Sequence, residues 1–360
     1  MSELIEYENK KITLEEALTQ IKPPSLKSMQ ESRIRWDSIA KPLRSLGKLE
    51  DAVVKIAGVT GSNEVVLKKK ALVIMCADNG IVAEGVTQTG QEVTAIVAEN
   101  FLQRKASVSI MASCAGADIY PVDIGMVKDT SIIDKKVAYG TKNFAKEPAM
   151  TAEEARSAVI NGIQMVYELK EKGYHMIATG EMGIGNTTTS SAIASVLLGK
   201  SVEEVTGKGA GLSTEGLNRK IQVIKDALLF HQPDKTDMID LLSKVGGLDI
   251  AGLAGVFLGG ALYRVPIVID GFISAVAALI AVKMNSFSKE YMLASHVSKE
   301  PAAHFVLEEL GLDPFLTCDM CLGEGTGAIA LIPILDMAVA VYSEMSTFEQ
   351  IDVEAYQPLS

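Results

Sequence analysis

The segment YHMIATGEMGIGNTTTSSAIASVLLG, residues 174–199, decides the fold. It begins with a short apolar run, continues through Gly180, Gly183 and Gly185 to Asn186 and a group of hydroxyl residues, and ends in a helical pattern. A strand, a glycine-rich loop and a helix in this order are typical of a parallel sheet covered by helices. The loop offers backbone N–H groups, a helix N-terminus and hydroxyl donors together, which suits a phosphate or a carboxylate. A tight turn with threonine caps explains the same residues equally well at this point.

Four other apolar runs repeat this pattern, each followed by a loop and a helical pattern. They are ALVIMCADNG (71–80), ADIYPVDIG (117–125), VPIVIDGF (265–272) and YMLASHVS (291–298). Short apolar runs alternating with helices indicate a mostly parallel sheet buried on both faces. We therefore expect an α/β fold with three layers and a Rossmann-like sheet across residues 61–345. Residues 1–60 are expected to form a smaller helical subdomain, joined by part of the C-terminal tail, and residues 346–360 to form that tail.

Each of the five predicted strands ends at a polar residue. These residues are Asp78, Asp123, Glu181, Asp270 and His296. In open α/β sheets the ligand lies outside the carboxyl ends of the strands. Any one of these residues can instead form a turn or cap a helix. Five polar endings on five strands nevertheless favour a lined cleft.

The segment LGEGTGA, residues 322–328, places Glu324 among three glycines before a long apolar run. Glycines let the backbone turn tightly and approach a ligand. A carboxylate against apolar surroundings has a raised pKa, which suits proton transfer. Glu324 can instead mark the entry to a helix, where a negative charge favours the macrodipole. On this segment alone the helix-entry interpretation is favoured.

A third glycine-rich segment, residues 206–228, reads TGKGAGLSTEGLNRKIQVIKDAL. Gly209 precedes a predicted helix that carries Arg219 and Lys220. One of these cations can neutralise an anion held by the first glycine loop, although both also suit a solvated helix face. The first glycine loop is neither a Walker A loop nor a G-x-G-x-x-G motif, so binding of a nucleoside triphosphate or a dinucleotide is poorly supported.

The composition excludes several classes of partner. The chain has 360 residues, of which 48% are hydrophobic and 22% charged, and its formal net charge is −11. Nucleic-acid binding requires clustered Lys and Arg, so we expect no nucleic-acid partner. The N-terminus lacks the basic-then-apolar order of a signal peptide, and the longest apolar segment contains Pro333 and Asp336. We expect a cytoplasmic protein with no membrane partner.

The cysteines do not indicate a metal or redox site. Cys318 and Cys321 form a C-x-x-C, but no second pair of Cys or His follows at the spacing of a zinc site. We interpret them as incidental thiols and expect neither a metal nor a cofactor.

Six segments occur together, and in this order, in one known family. They are KPLRSLGKLE (41–50), CADNGIVAEGVTQTGQEVTAIVAENFL (76–102), GEMGIGNTTTSSAI (180–193), VIDGFISAVAA (268–278), HVSKEPAAH (296–304) and LGEGTGAIALIPILDMA (322–338). The chain resembles, along essentially its whole length, the nicotinate-nucleotide–dimethylbenzimidazole phosphoribosyltransferases. The resemblance implies transfer of phosphoribose from nicotinate mononucleotide to a benzimidazole nitrogen, with release of nicotinate.

The resemblance also implies roles for individual residues. Glu324 would be the general base that removes the acceptor's N–H proton, and Glu181 a second acidic residue near the ribose or the leaving ring. The other residues would bind the two substrates: Gly183, Gly209, Lys220 and Ser298 around the phosphate, Asp270 and Gly271 beside the ribose, and Asp78, Thr87, Gln91 and Leu322 against the acceptor.

Two departures from the family leave the acceptor open. Many members have a histidine where this chain has Asn79, and a Ser, an aromatic and a Pro where it has residues 87–90. A purine or another base is therefore an alternative acceptor, as is phenol or p-cresol in a heterodimer with a paralogue. The family's usual state implies a homodimer. A second alternative is a non-catalytic nucleotide-binding subunit, in which Glu324 would only cap a helix.

Overall fold

A computed structural model describes residues 4–356; residues 1–3 of the predicted N-terminal subdomain and residues 357–360 of the predicted tail lie outside the described residues. The strands are β1 (Ile5–Tyr7), β2 (Lys10–Ile12), β3 (Lys70–Ala77), β4 (Ala117–Gly125), β5 (Ile133–Asp134), β6 (Met176–Met182), β7 (Ile267–Ile269) and β8 (Met292–Ala294). The helices are α1 (Leu14–Gln20), α2 (Leu26–Ser38), α3 (Lys48–Thr60), α4 (Glu92–Leu102), α5 (Ser107–Ala115), α6 (Ala152–Glu171), α7 (Asn186–Leu198), α8 (Val202–Val205), α9 (Thr214–His231), α10 (Met238–Val245), α11 (Leu248–Tyr263), α12 (Phe272–Met284), α13 (Ala303–Leu310) and α14 (Thr326–Glu344). Three 3₁₀ helices cover Gly80–Glu84, Ser286–Tyr291 and Glu349–Ile351.

Six of the strands form one parallel sheet in the order β5-β4-β3-β6-β7-β8. The five apolar runs of the sequence supply β3, β4, β6, β7 and β8, so the predicted α/β fold and parallel sheet are confirmed. From β3 the chain adds β4 and β5 toward one edge of the sheet, and from β6 it adds β7 and β8 toward the other edge. The strand order therefore reverses between β3 and β6, where a doubly wound sheet opens a crevice at its carboxyl edge.

Helices cover both faces of the sheet, which gives the three predicted layers. All eight residues of β3 are buried, and they alternate between two apolar clusters. Val73 and Met75 face the cluster that α6, α7 and α9 to α12 complete, whereas Leu72 and Ile74 face the cluster of α2 to α5 and α14. Strands buried on both faces explain why the sequence shows continuous apolar runs rather than alternation.

The sequence predicted a helical N-terminal segment, but the structure shows that this segment is not entirely helical. β1 and β2 form an antiparallel hairpin, whose two turn residues, Glu8 and Asn9, have φ angles of 47° and 63°. Two consecutive positive φ angles are the geometry of a type I′ turn, which is common in two-residue hairpins. Ile5 is buried and Tyr263 of α11 donates its hydroxyl to the Glu6 carbonyl at 2.6 Å, so the hairpin packs on the main domain.

The C-terminal segment returns to the N-terminal helices. Thr347 bridges Ile39, and the Phe348 N–H donates to the Ser38 carbonyl at 3.0 Å. These contacts place part of the tail beside α2. The division into two subdomains stays a prediction.

α14 is a buried element of the fold. By length and composition alone it is long and apolar enough to cross a membrane, but half of its apolar 18-residue stretch is buried inside the molecule. Asp336 in this helix forms an ion pair with Lys70 at 2.6 Å, and Pro333 interrupts its backbone hydrogen bonding. These features are those of a core helix.

Glycines allow α6 and α11 to pack in backbone contact. A Cβ atom at Gly162 would lie 1.9 Å from the Gly252 carbonyl oxygen, and one at Gly255 would lie 2.0 Å from that of Val159. Neither contact leaves room for a methyl group. This close packing fixes the start of α11, where Asp249 enters the carboxyl edge of the sheet.

Candidate active site

A cavity of about 230 Å³ opens at the carboxyl edge of the sheet, at the ends of β6, β7 and β8. The start of α7 and three further segments, residues 86–89, 208–212 and 321–324, complete its lining. This is the position that the reversal of strand order predicts for a ligand.

Nine of the twelve candidate site residues line this cavity. They are Glu324, Glu181, Gly183, Gly209, Asp270, Gly271, Ser298, Thr87 and Leu322. Lys220, Asp78 and Gln91 do not line it; Lys220 and Gln91 support segments that do, whereas Asp78 ties the end of β3 to the segment after β4. The strand endings Glu181, Asp270 and His296 thus meet in one site, whereas Asp78 and Asp123 lie behind it.

Asp270 holds the N-terminus of α14. Its Oδ2 accepts the N–H of Gly325 at 3.0 Å, and its Oδ1 accepts those of Gly327 and Ala328 at 2.7 and 3.1 Å. These are the amides that an α-helix leaves without intrahelical partners. Burial raises the pKa of Asp270, while the neighbouring His296 and the three amide donors oppose that rise. The cap that the sequence suggested for Glu324 is therefore supplied by Asp270.

Glu324 stands in a strained backbone segment beside that cap. Its φ of 61° lies between Gly323 and Gly325, whose φ angles are 83° and 94°. A left-handed conformation costs a residue with a side chain about 1–2 kcal/mol, so the surrounding contacts must impose it. Gly325 also approaches the Leu72 side chain and the Thr179 carbonyl, where a Cβ atom would lie 2.5 and 3.1 Å away.

The Glu324 side chain is half-buried and has an oxygen with no partner among the described residues. Its Oε2 is buried and accepts no hydrogen bond within residues 4–356. Burial raises the pKa of Glu324, Asp270 raises it further, and the backbone N–H of Val108 at the start of α5 opposes the rise. A carboxylate with a free oxygen and a raised pKa is suited to accept a proton.

Glu181 belongs to a buried cluster with Asn186 and Asp249. The Asn186 side-chain amide donates to both carboxylates, to Glu181 and, at 2.9 Å, to Asp249. The Glu324 N–H approaches the other Glu181 oxygen at 3.4 Å. No ion pair to either carboxylate occurs in the described part of the chain.

Burial sets the ionisation of this cluster. It raises the pKa of Glu181 to about 8, with Asn186 opposing and Asp249 and Asp270 adding to the rise. It raises the pKa of Asp249 to about 6, with Asn186 again opposing. The ionised form of Glu181 is therefore strongly disfavoured by its surroundings.

Lys220 lies behind the glycine-rich wall of the cavity. The residue is fully buried, and its Nζ donates to Thr187 Oγ1 at 2.9 Å and to the Gly207 carbonyl at 3.2 Å. Burial lowers the pKa of Lys220 to about 8, and Glu300 opposes that fall. Gly209 packs against Thr187, where a Cβ atom would lie 2.9 Å from Oγ1. The ammonium thus fixes the wall formed by α7 and residues 207–209.

Asp78 and Gln91 brace neighbouring loops. Asp78 Oδ2 accepts the Val127 N–H at 2.8 Å, which ties the end of β3 to the segment after β4. Gln91 Nε2 donates to the Asn79 carbonyl at 3.1 Å. Asp123 accepts the Met126 N–H at 2.9 Å and pairs with Lys136 at 3.3 Å. Each of these side chains thus bonds the protein itself, although Asp78 Oδ1 has no partner among the described residues.

Several cavity or cluster residues were not among the sequence candidates. They are Asn186, Thr187, Lys208, Asp249, Ser274, Glu300 and Cys321. Asn186 and Thr187 stood in the quoted glycine segment, and their place at its helix start was the available signal. Asp249 gave no comparable signal, because it precedes a uniformly apolar helix far along the chain from Glu181.

The side chains in residues 4–356 form no group of three or more His, Cys, Asp or Glu arranged to hold a metal ion. Cys318 and Cys321 are exposed and free, and only Cys321 of the two lines the cavity.

The comparisons with known proteins agree on one family. A family model described as Phosphoribosyltransferase matches residues 21–353. A nicotinate-nucleotide–dimethylbenzimidazole phosphoribosyltransferase from Clostridium acetobutylicum is 51% identical and covers 92% of this chain and 96% of its own. One of the same name from Ruminiclostridium cellulolyticum is 48% identical, over 97% of this chain and 100% of its own. The crystal structure of CobT from Thermus thermophilus is 37% identical, with a TM-score of 0.86 over 92% of this chain and all of that one.

The raised pKa of Glu181 predicts a pH-dependent stability. The folded state keeps this proton up to a pH of about 8, whereas the unfolded chain releases it near the ordinary value of 4.5. Folding then binds a proton between these two values, so the contribution of Glu181 to stability falls as pH rises through this window. The free energy of unfolding in urea should be measured for wild type and for Glu181→Gln. The wild-type value minus the variant value should fall by up to about 1.4 kcal/mol for each unit by which the pH rises through this window.

Glu354→Gln, which changes an exposed glutamate, is the control and should leave a constant difference from wild type. Parallel curves for wild type and Glu181→Gln between pH 5 and 8 would show that the buried carboxyl ionises normally.

Proposed function

Because this chain belongs to the nicotinate-nucleotide–dimethylbenzimidazole phosphoribosyltransferase family, we propose that its cavity transfers phosphoribose from nicotinate mononucleotide to 5,6-dimethylbenzimidazole. The cavity residues that match the family's sequence segments carry this proposal. The phenolic acceptor and the paralogue heterodimer have no support among the relatives described above.

The reaction determines what the site must supply. One ring nitrogen of the acceptor forms a bond to the ribose C1′ while the bond from C1′ to the pyridine nitrogen breaks. Nicotinate departs with that electron pair and needs no proton. The acceptor must lose the proton of its other ring nitrogen, so the site requires a general base.

Glu324 is the base in this proposal. The observation that carries the assignment is its buried Oε2, which accepts no hydrogen bond from the described residues, while Asp270 satisfies the amides of α14. A glutamate serving as a helix cap would spend its oxygens on those amides. The strained turn of Gly323, Glu324 and Gly325 holds the carboxylate at the cavity wall without a side chain on either neighbour.

Glu181 has an electrostatic role in the proposal. The transition state places positive charge on the ribose as nicotinate leaves. A nearby positive charge favours the ionised form of a carboxyl, so Glu181 and Asp249 would stabilise that charge as carboxylates. The cluster is thus matched to the charged transition state.

The donor phosphate is assigned to the wall formed by the start of α7 and residues 207–209. Gly183 and Gly209 leave the backbone accessible, and an anion is favoured at a helix N-terminus. Lys208 and Ser298 line the same region, and Lys220 adds a buried positive charge behind Thr187. Asp270 and Gly271 lie between this wall and Glu324, where the ribose would pass.

The acceptor is assigned to the side of the cavity formed by residues 86–89 and 321–323. Thr87 and Leu322 line it directly. Gln91 acts indirectly, because it holds the end of the loop from which this side is built, and Asp78 lies further back, at the end of β3. We place the enzyme in the cytoplasm on the basis of its composition.

Replacing Glu324 by glutamine tests the assigned base. Glutamine keeps the size of the side chain but cannot accept the proton, so kcat should fall by about a hundredfold to ten-thousandfold. Nicotinate mononucleotide binding, measured by titration, should stay within about twofold. In wild type the rate should rise with pH through a single ionisation above the ordinary value of 4.5, since the Glu324 pKa is raised.

Glu344→Gln is the matched control, because it changes an exposed glutamate at the other end of the same helix. It should turn over like wild type. Normal turnover by Glu324→Gln together with a lower melting temperature would instead identify Glu324 as a structural residue.

We also propose that the enzyme is a homodimer. Ile96, Ile110 and Met337 are each more than half exposed on α4, α5 and α14, which cover the same face of the sheet. Such an apolar surface is typical of an interface between subunits. Sedimentation equilibrium at micromolar concentration should give twice the chain mass of 38.4 kDa. A single species of 38.4 kDa would contradict the dimer.

A further inference from the structure

Two loops from distant parts of the chain meet across the cavity. The acceptor loop, residues 85–91, connects the 3₁₀ helix Gly80–Glu84 to α4. The phosphate loop, residues 207–212, precedes α9 and contains Gly209 and Gly211, with φ angles of 52° and 101°. Both loops line the same cavity.

Side chains connect these loops directly. The Gln88 side-chain amide, at the tip of the acceptor loop, donates to the Gly211 carbonyl of the phosphate loop. Arg219, in the second turn of α9, donates through Nη1 to the Gly85 carbonyl at 3.4 Å. The acceptor loop is thus attached at both its beginning and its tip to the element that carries the phosphate loop.

The phosphate loop is in turn held by the donor side of the site. Lys220 bonds both Thr187 and the Gly207 carbonyl, and Gly209 rests on Thr187. A phosphate bound at this wall would therefore fix the loop whose Gly211 carbonyl accepts from Gln88.

We infer that Gln88 and Arg219 are positioning residues that couple the two substrate sites, so that a phosphate held on the donor side tightens binding of the aromatic acceptor. This inference rests on the proposed function, which assigns the two sides of the cavity to the two substrates. Neither residue takes part in bond making. Both act by holding the acceptor loop against the element that carries the phosphate loop.

Linkage makes the coupling reciprocal and limits its size. The acceptor must tighten phosphate binding by the same factor by which phosphate tightens acceptor binding. The connection from Gln88 is one exposed hydrogen bond, and the loss of such a bond changes an equilibrium by about 2- to 10-fold. The coupling factor in wild type should lie in this range.

Titration of the whole chain with 5,6-dimethylbenzimidazole, with and without saturating inorganic phosphate, measures the coupling without turnover. Phosphate should lower the wild-type Kd for 5,6-dimethylbenzimidazole by about 2- to 10-fold. In Gln88→Ala the Kd without phosphate should stay within about twofold of wild type, and the effect of phosphate should disappear. Gln88→Glu keeps the size of the side chain but loses the amide donor, so it should behave like Gln88→Ala.

Gln222→Ala is the matched control, because its exposed amide bonds Asp226 within α9 and touches neither loop. It should keep the wild-type coupling factor. Arg219→Gln should reduce the factor. An unchanged factor in both Gln88 variants, or no effect of phosphate in wild type, overturns the inference while leaving the proposed reaction intact. Failure of wild type to bind 5,6-dimethylbenzimidazole at all overturns both.

Discussion

The site depends on the bonds between the Asp270 carboxylate and the amides of Gly325, Gly327 and Ala328. They join the end of β7 to the start of α14 and satisfy the helix amides that would otherwise require another acceptor. Gly327 permits this approach, because a Cβ atom there would lie 1.9 Å from His296 Nδ1. With the helix capped from a neighbouring strand, Glu324 is held in the turn by its backbone, and its Oε2 accepts no hydrogen bond among the described residues.

The carboxyl edge of the sheet is acidic and largely closed to water. Glu181, Asp249 and Asp270 are buried, and burial raises the pKa of each. Folding stores unfavourable electrostatic energy in such a cluster, because the ionised forms have lost their hydration. The positive pyridinium ring of the donor and the positive charge of the transition state would relieve it. The cluster therefore suits a reaction in which the ring nitrogen of the donor gives up its positive charge as nicotinate leaves.

The sequence predicted the sheet well because its strands are buried on both faces. Five short apolar runs became five of the six parallel strands. The polar residues at the ends of three of them, Glu181, Asp270 and His296, lie at the site. The hairpin at Ile5–Ile12 was missed because it is short and partly polar, and its turn lacks the usual glycine. β5, with two residues, is too short to produce a pattern.

The site was predictable where its residues lie in contiguous segments. Glu181, Gly183 and Glu324 stand within glycine-rich motifs that carry the family resemblance. Asp249 and the cap role of Asp270 depend on which strands become neighbours, and the local sequence does not contain this information. Lys220 lies behind the glycine-rich wall, and its complete burial follows only from the packing of α9 against α7.

The most direct measurement is the crystal structure of Glu324→Gln with nicotinate mononucleotide and 5,6-dimethylbenzimidazole bound. We expect the amide at position 324 to lie about 2.6–3.2 Å from the acceptor ring nitrogen remote from C1′. Asp270 should still accept the three amides of α14. An acceptor bound away from position 324, with that side chain bonded to the helix amides in place of Asp270, would contradict the assignment of Glu324 as the base.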